Sequence, residues 1–187
     1  LTASLMGIKN PQVMILDLGK SFKKITELWG GKYLTIDLDN PERGLNPLPP
    51  RDAILGEQGF SSLGLLDFTV QLILLMVQNT QDEQLKGRII RKALLETYRE
   101  IPERQPILSD LQKILYAFEN YSSDSADILM AGTIAKFLDE FTEGAYSKIF
   151  NRQSDLTMDS DFFCFDFKEA HSNPRIREIA TYIIGGY

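Results

Sequence analysis

Residues 13–47, VMILDLGKSFKKITELWGGKYLTIDLDNPERGLNP, decide the fold. The continuous apolar run Val13, Met14, Ile15, Leu16 closes on Asp17, which predicts a strand buried on both faces with a polar side chain emerging at its carboxyl end. A short helix follows. Phe22, Ile25 and Trp29 recur at i, i+3 and i+7, Ser21 is placed to cap the start, and Gly30-Gly31 supplies a residue able to go left-handed at the stop. Tyr33 to Leu38 then sets Tyr33, Thr35 and Asp37 against Leu34, Ile36 and Leu38, the alternation of a second strand. Strand, crossover helix and strand make a βαβ unit, and Asn46-Pro47 closes the loop behind it.

Outward from this unit the pattern changes. Pro41 to Gly59 carries Pro41, Pro47, Pro49, Pro50, Gly56 and Gly59 and reads as a hinge. From Ser61 to about Phe150 the period becomes helical, with helices expected at about 63–79, 82–100, 109–120 and 124–142. Leu111, Ile114, Leu115 and Phe118 share one face, as do Ile134, Phe137, Leu138 and Phe141. Breaks fall at Asn79-Thr80, Pro102 to Pro106 and Ser122-Ser123. Thr80-Gln81-Asp82-Glu83 and Ser109-Asp110-Leu111-Gln112 match the capping-box pattern. Four amphipathic helices on short loops predict an inserted antiparallel bundle. Phe162 to Phe167 then reads as a third strand, and Asn173-Pro174 opens a helix with Ile176, Ile179, Ala180 and Ile183 on one face.

Composition sets bounds. A chain of 187 residues, 43% hydrophobic, can bury one substantial core. Twenty basic against twenty-six acidic residues leave a net charge of −6, which argues against wrapping nucleic acid as the main task. One cysteine, Cys164, excludes an intramolecular disulfide framework. The most apolar stretch, Leu63 to Val77, is shorter than the ~20 residues of a spanning helix and carries Asp67 and Gln71. No signal peptide is visible at the amino end.

The segment ILDLGKSFKKITELWGGKYLTIDLDNPERGLNPLPP resembles the stretch after the phosphate-binding loop in the TraC-type ATPases of conjugative transfer and type IV secretion, the large VirB-type ATPases. The shared features are a strand ending in Asp, a small polar turn, Ser followed by an aromatic, Gly-Gly, a second strand and Asn-Pro. Gly144-Ala145-Tyr146 leading to Ile149-Phe150 is similar to that family's turn out of its helical insertion. FFCFDFKEAHSNPRIREIA resembles the strand and helix before its Walker B strand.

The resemblance implies an α/β fold class: a piece of a RecA-like P-loop NTPase domain with a small parallel sheet and an inserted antiparallel helical bundle. Residues 1–60 would be the first part of the α/β domain, 61–150 the bundle and 151–187 the return. It also implies a parent that binds ATP and Mg²⁺, hydrolyses ATP between the subunits of a homo-oligomer, a hexamer, and powers conjugative DNA transfer, pilus assembly or type IV secretion. Such a parent would be a bacterial cytoplasmic protein, peripheral at the inner membrane, with other secretion or conjugation proteins as partners.

A Walker A loop needs G-x-x-x-x-G-K-[ST], because its backbone N–H groups cradle phosphate. Aligning Gly19-Lys20-Ser21 with its end puts Met14, inside the predicted strand, where the first Gly must be. Leu1 to Ile8 reads instead as the tail of the helix that such a loop would start, and no strand ending in Asp-Glu is present. The expectation is an internal piece lacking both nucleotide motifs, inactive alone and without a cofactor of its own.

The candidate cofactor-binding residues are Asp17, Lys20 and Ser21. Asp17, at a strand's carboxyl end, either faces the nucleotide or caps the turn into the next helix. Lys20 and Ser21 either contact phosphate or a neighbouring subunit, or serve as a solvated lysine and a helix cap. No catalytic constellation and no metal site is expected: His171 has no partner at ligand spacing, Asp159 and Asp161 lack a base or nucleophile, and Cys164 reads as an inert core residue. Arg88, Arg91 and Lys92 share a helix face that either touches DNA or another subunit or is simply solvated. Two function classes follow: a part of a motor ATPase, or a non-catalytic interaction module of a secretion apparatus.

Overall fold

The computed structural model describes residues 13–17, 21–37, 43–55, 59–78, 81–154, 160–167 and 173–186. Leu1 to Ile8, Gly19, Lys20, Thr80, Asp159 and His171 lie outside them. The chain divides into two compact units, residues 1–43 with 155–181 and residues 44–154 with 182–187.

The first unit is built on three parallel strands, β1 (Val13–Asp17), β2 (Lys32–Thr35) and β3 (Phe162–Asp166), in the order β1-β3-β2. The βαβ unit is therefore split: its two strands do not pair with each other, and the later strand lies between them. The reason is hydrophobic. All five residues of β3 are buried, and its Phe163 and Phe165 rings stack at 6.0 Å, so this strand needs cover on both faces and both edges. β1 takes an edge of the described sheet and departs from the expected burial: Met14 is 39% and Leu16 41% exposed. Among the described residues β1 pairs on one side only, and Met14 and Leu16, although they share a face with the buried Phe163 and Phe165, stay partly exposed at that edge.

Helix α1 (Lys23–Leu28) packs on β2 and β3. Its buried residue is Thr26, whose hydroxyl donates to the Phe22 carbonyl at 2.7 Å, while Phe22 itself is exposed. Trp29 meets Phe162 with ring centroids 5.5 Å apart. Gly30 stops the helix at φ +68°, the left-handed region that glycine enters without steric cost. At Gly31 a Cβ would stand 2.6 Å from the Phe162 ring, so the second glycine is there for close approach. In the helix Pro174–Gly185, Asn173 Oδ1 accepts the Ile176 N–H at 3.3 Å, and Ile176, Ile179 and Ala180 are buried as the pattern requires.

The second unit is helical: α2 (Arg51–Leu55), α3 (Gly59–Val77), α4 (Glu83–Glu100), α5 (Leu108–Tyr116), α6 (Ser125–Phe137), α7 (Asp139–Thr142) and α8 (Ser147–Phe150). The last helix, α9 (Pro174–Gly185), enters this unit from Tyr182 onward. Ile73, Ile90, Leu94, Leu111, Ile134 and Phe141 form a core with no exposed surface. The expected third helix stops early, at Tyr116, and continues as a 3₁₀ turn over Phe118–Asn120. The fourth breaks at Leu138.

Of the two expected capping boxes, Thr80 of the first lies outside the described residues, and the one at Ser109 does not form as spaced. α4 starts from Asp82 at φ 58° with no side-chain cap. Ser109 lies inside α5, where its N–H reaches Asn151 Oδ1 at 2.9 Å. The carboxylate of Asp110 takes over, accepting the Ile107 N–H at 2.9 Å and a two-pronged bond from Arg104 at 2.7 and 2.8 Å. An acid at the first turn also complements the helix dipole.

Burial works against the ionised Asp110 carboxyl, but the Arg104 and Ile107 donors outweigh it and hold its pKa below 3.8. The folded chain thus binds that proton more weakly than the unfolded one, so the contribution is present above the ordinary carboxylate range and is lost as pH falls through the lowered value. Asp110→Asn is expected to flatten the acid limb of the stability curve below about pH 4. Urea midpoints from pH 2 to 7 check this, and unchanged acid sensitivity would contradict it.

Of the proline-rich stretch read as a hinge, residues 43–55 are described, and they are packed. Leu45 and Leu48 are fully buried, and residues 51–55 form α2. Among the described residues no helix is long and apolar enough to cross a membrane.

Candidate functional site

In open α/β sheets ligands bind beyond the carboxyl ends of the strands. In the first unit those ends carry a pair of acids. Asp17 closes β1 and Asp166 closes β3, and the two are register partners. They are 6% and 1% exposed. The ladder continues past them, with the Phe167 N–H donating to the Asp17 carbonyl at 3.0 Å and the Ile36 N–H to the Asp166 carbonyl at 2.8 Å.

Side chains two apart share a face, so Asp166 stands above Cys164, and Cys164 is the partner of Tyr33 on β2. Tyr33 Oη and Asp166 Oδ2 are both buried, and neither meets a partner in good hydrogen-bond geometry among the described residues. They are nonetheless neighbours. Burial raises the Tyr33 phenol, and the adjoining Asp166 carboxylate, then Asp17 and Cys164, raise it further, so this hydroxyl keeps its proton.

Of the three residues expected to bind a cofactor, Asp17 sits in this group. Its Oδ2 accepts the Phe22 N–H at 3.0 Å, which makes it the turn-forming group at the start of α1. Ser21 is exposed on that turn. No side chain caps α1, so Ser21 does not take the helix-capping role anticipated for it, and the Asp17 carboxylate holds only the turn before the helix. Lys20 lies outside the described residues. Asp166 and Tyr33 were not singled out by sequence, although a usable signal existed: VMILD and FFCFD are two apolar runs that each end on Asp. Among the described residues no cluster of three or more His, Cys, Asp or Glu could hold a metal ion.

Cys164 is a core residue, as its alternation with aromatics suggests. Burial pushes its thiol up to about 11; the Thr26 hydroxyl beside it opposes the rise, and Asp17 and Asp166 add to it. The thiolate is the nucleophile. Alkylation of the native chain at pH 8 is therefore expected to be far slower than in urea, a difference that thiol labelling followed by mass spectrometry reads directly. Equal rates would show an accessible, ionised sulfur.

The second unit offers two further features. Asn46 anchors the proline stretch: its N–H donates to Ser154 Oγ at 2.8 Å, its Nδ2 to the Pro106 carbonyl at 2.8 Å, and its Oδ1 accepts the Leu48 N–H at 3.1 Å. Tyr98 Oη donates to the Pro49 carbonyl at 2.7 Å. The prolines so held wall an apolar cleft of about 280 Å³ with Phe68, Leu72 and Ile183.

The cations of α4 are engaged within the chain. Arg88 forks onto Asp127 at 2.6 and 3.0 Å, Arg91 pairs with Asp67, and Lys92 donates to the Tyr121 carbonyl. An anion such as a nucleic-acid phosphate would compete with the Asp127 and Asp67 carboxylates for Arg88 and Arg91.

No protein-family model and no curated protein matches the sequence. Among solved structures, VirB4 of Thermoanaerobacter pseudethanolicus is similar with a TM-score of 0.70 at 20% identity, over 99% of this chain and 72% of that one. Over nearly its whole length, then, this α/β sheet with its helical unit shares the fold of that VirB4.

Proposed function

We propose that this chain is part of a type IV secretion ATPase of the TraC type, the part that lies between the two nucleotide motifs. The carrying observation is the likeness to a VirB4 structure over 99% of the chain, and the resemblance of residues 15–50 to the family's segment after the phosphate loop supports it independently. In this reading the parent binds ATP and Mg²⁺, works as a hexamer with other secretion or conjugation proteins, and acts from the cytoplasm at the inner membrane of a bacterium. ATP hydrolysis is phosphoryl transfer to water, governed by positioning and by charge stabilisation at the phosphates. Asp17 would contribute at the carboxyl end of the sheet, directly or by fixing the turn that carries Lys20 and Ser21. DNA contact through α4 has the weakest support, because its cations are already engaged.

The sequence contains no G-x-x-x-x-G-K-[ST], so the 187-residue chain is expected to show no ATP turnover. A longer polypeptide that includes this chain and a phosphate loop should hydrolyse ATP, and Asp17→Asn in it should lower kcat about tenfold or more, the minimum that loss of a ~1.4 kcal/mol transition-state contribution would give. Turnover by the short chain, abolished by Lys20→Ala, would overturn this account.

A second reading, a docking module of the secretion apparatus, draws on the large apolar side chains that the helical unit exposes: Tyr116, Leu129 and Phe137. Partner capture that persists without nucleotide and is lost in Leu129→Glu with Phe137→Glu would favour it.

A further inference from the structure

We draw no further inference here: the strongest candidate, the buried cluster of Asp17, Asp166 and Tyr33 at the carboxyl end of the sheet, belongs to the candidate site already described, and no second feature there points to a ligand.

Discussion

Phe165→Ala is expected to destabilise the sheet unit by about 4 kcal/mol, in the range for truncating a buried phenylalanine. Phe165 has no exposed surface and sits in the middle strand, stacked on Phe163, with Leu16 of β1 and Leu34 of β2 as its register partners. The cavity would thus open on the face that Phe165 shares with Phe163, Leu16 and Leu34, beside three apolar side chains held in place by the strand register. Trp29 is the only tryptophan in the chain and touches Phe162 of the same strand, so its fluorescence reports this unit. The far-UV signal of the chain comes mostly from the helices of the other unit. The tryptophan transition should therefore move to lower urea by more than the 222-nm transition does. A loss below 1 kcal/mol by fluorescence would mean that β3 is not the central strand.

Asn46→Ala is expected to cost about 3 kcal/mol, since it strands the Pro106 carbonyl and the Leu48 N–H in a buried setting at ~1–3 kcal/mol each. For a chain of this size each kcal/mol moves Tm by roughly 2–4 °C. Asn46→Asp separates the two bonds. It keeps an acceptor for Leu48 but turns a carboxylate toward the Pro106 carbonyl, so it should be at least as damaging. Thermal melts followed at 222 nm check both variants. If Asn46→Asp proved neutral, the Pro106 bond would contribute nothing.

What the sequence showed and what it hid divide along physical lines. Periodicity is local, so the strands at Val13, Tyr33 and Phe162, the helical stretch, and the helix opened by Asn173-Pro174 were all readable. Strand order is not local. Nothing in residues 13–38 says that Phe162–Asp166 will enter between them, and that entry leaves Met14 and Leu16, among the described residues, partly exposed at a sheet edge. The Ser109 cap failed for a related reason. Ser109 has the right spacing, but Asp110 can also reach Arg104, and a charged two-pronged bond outcompetes a hydroxyl. Within the candidate site Asp17 was legible from its place at the end of an apolar run. Its neighbour Asp166 is 149 positions away in sequence, and only the ladder register brings the two side by side.

The strand order also sets a schedule for biosynthesis. A ribosome delivers β1 and β2 first, and their shared partner begins at Phe162, 127 positions after Thr35. At ~5–20 residues per second that is a wait of roughly 6–25 s, during which the helical stretch has emerged and has only nearby contacts to make. Strands β1 and β2 thus leave the exit tunnel before the strand that joins them exists, which makes them a stretch of nascent polypeptide for a chaperone to hold.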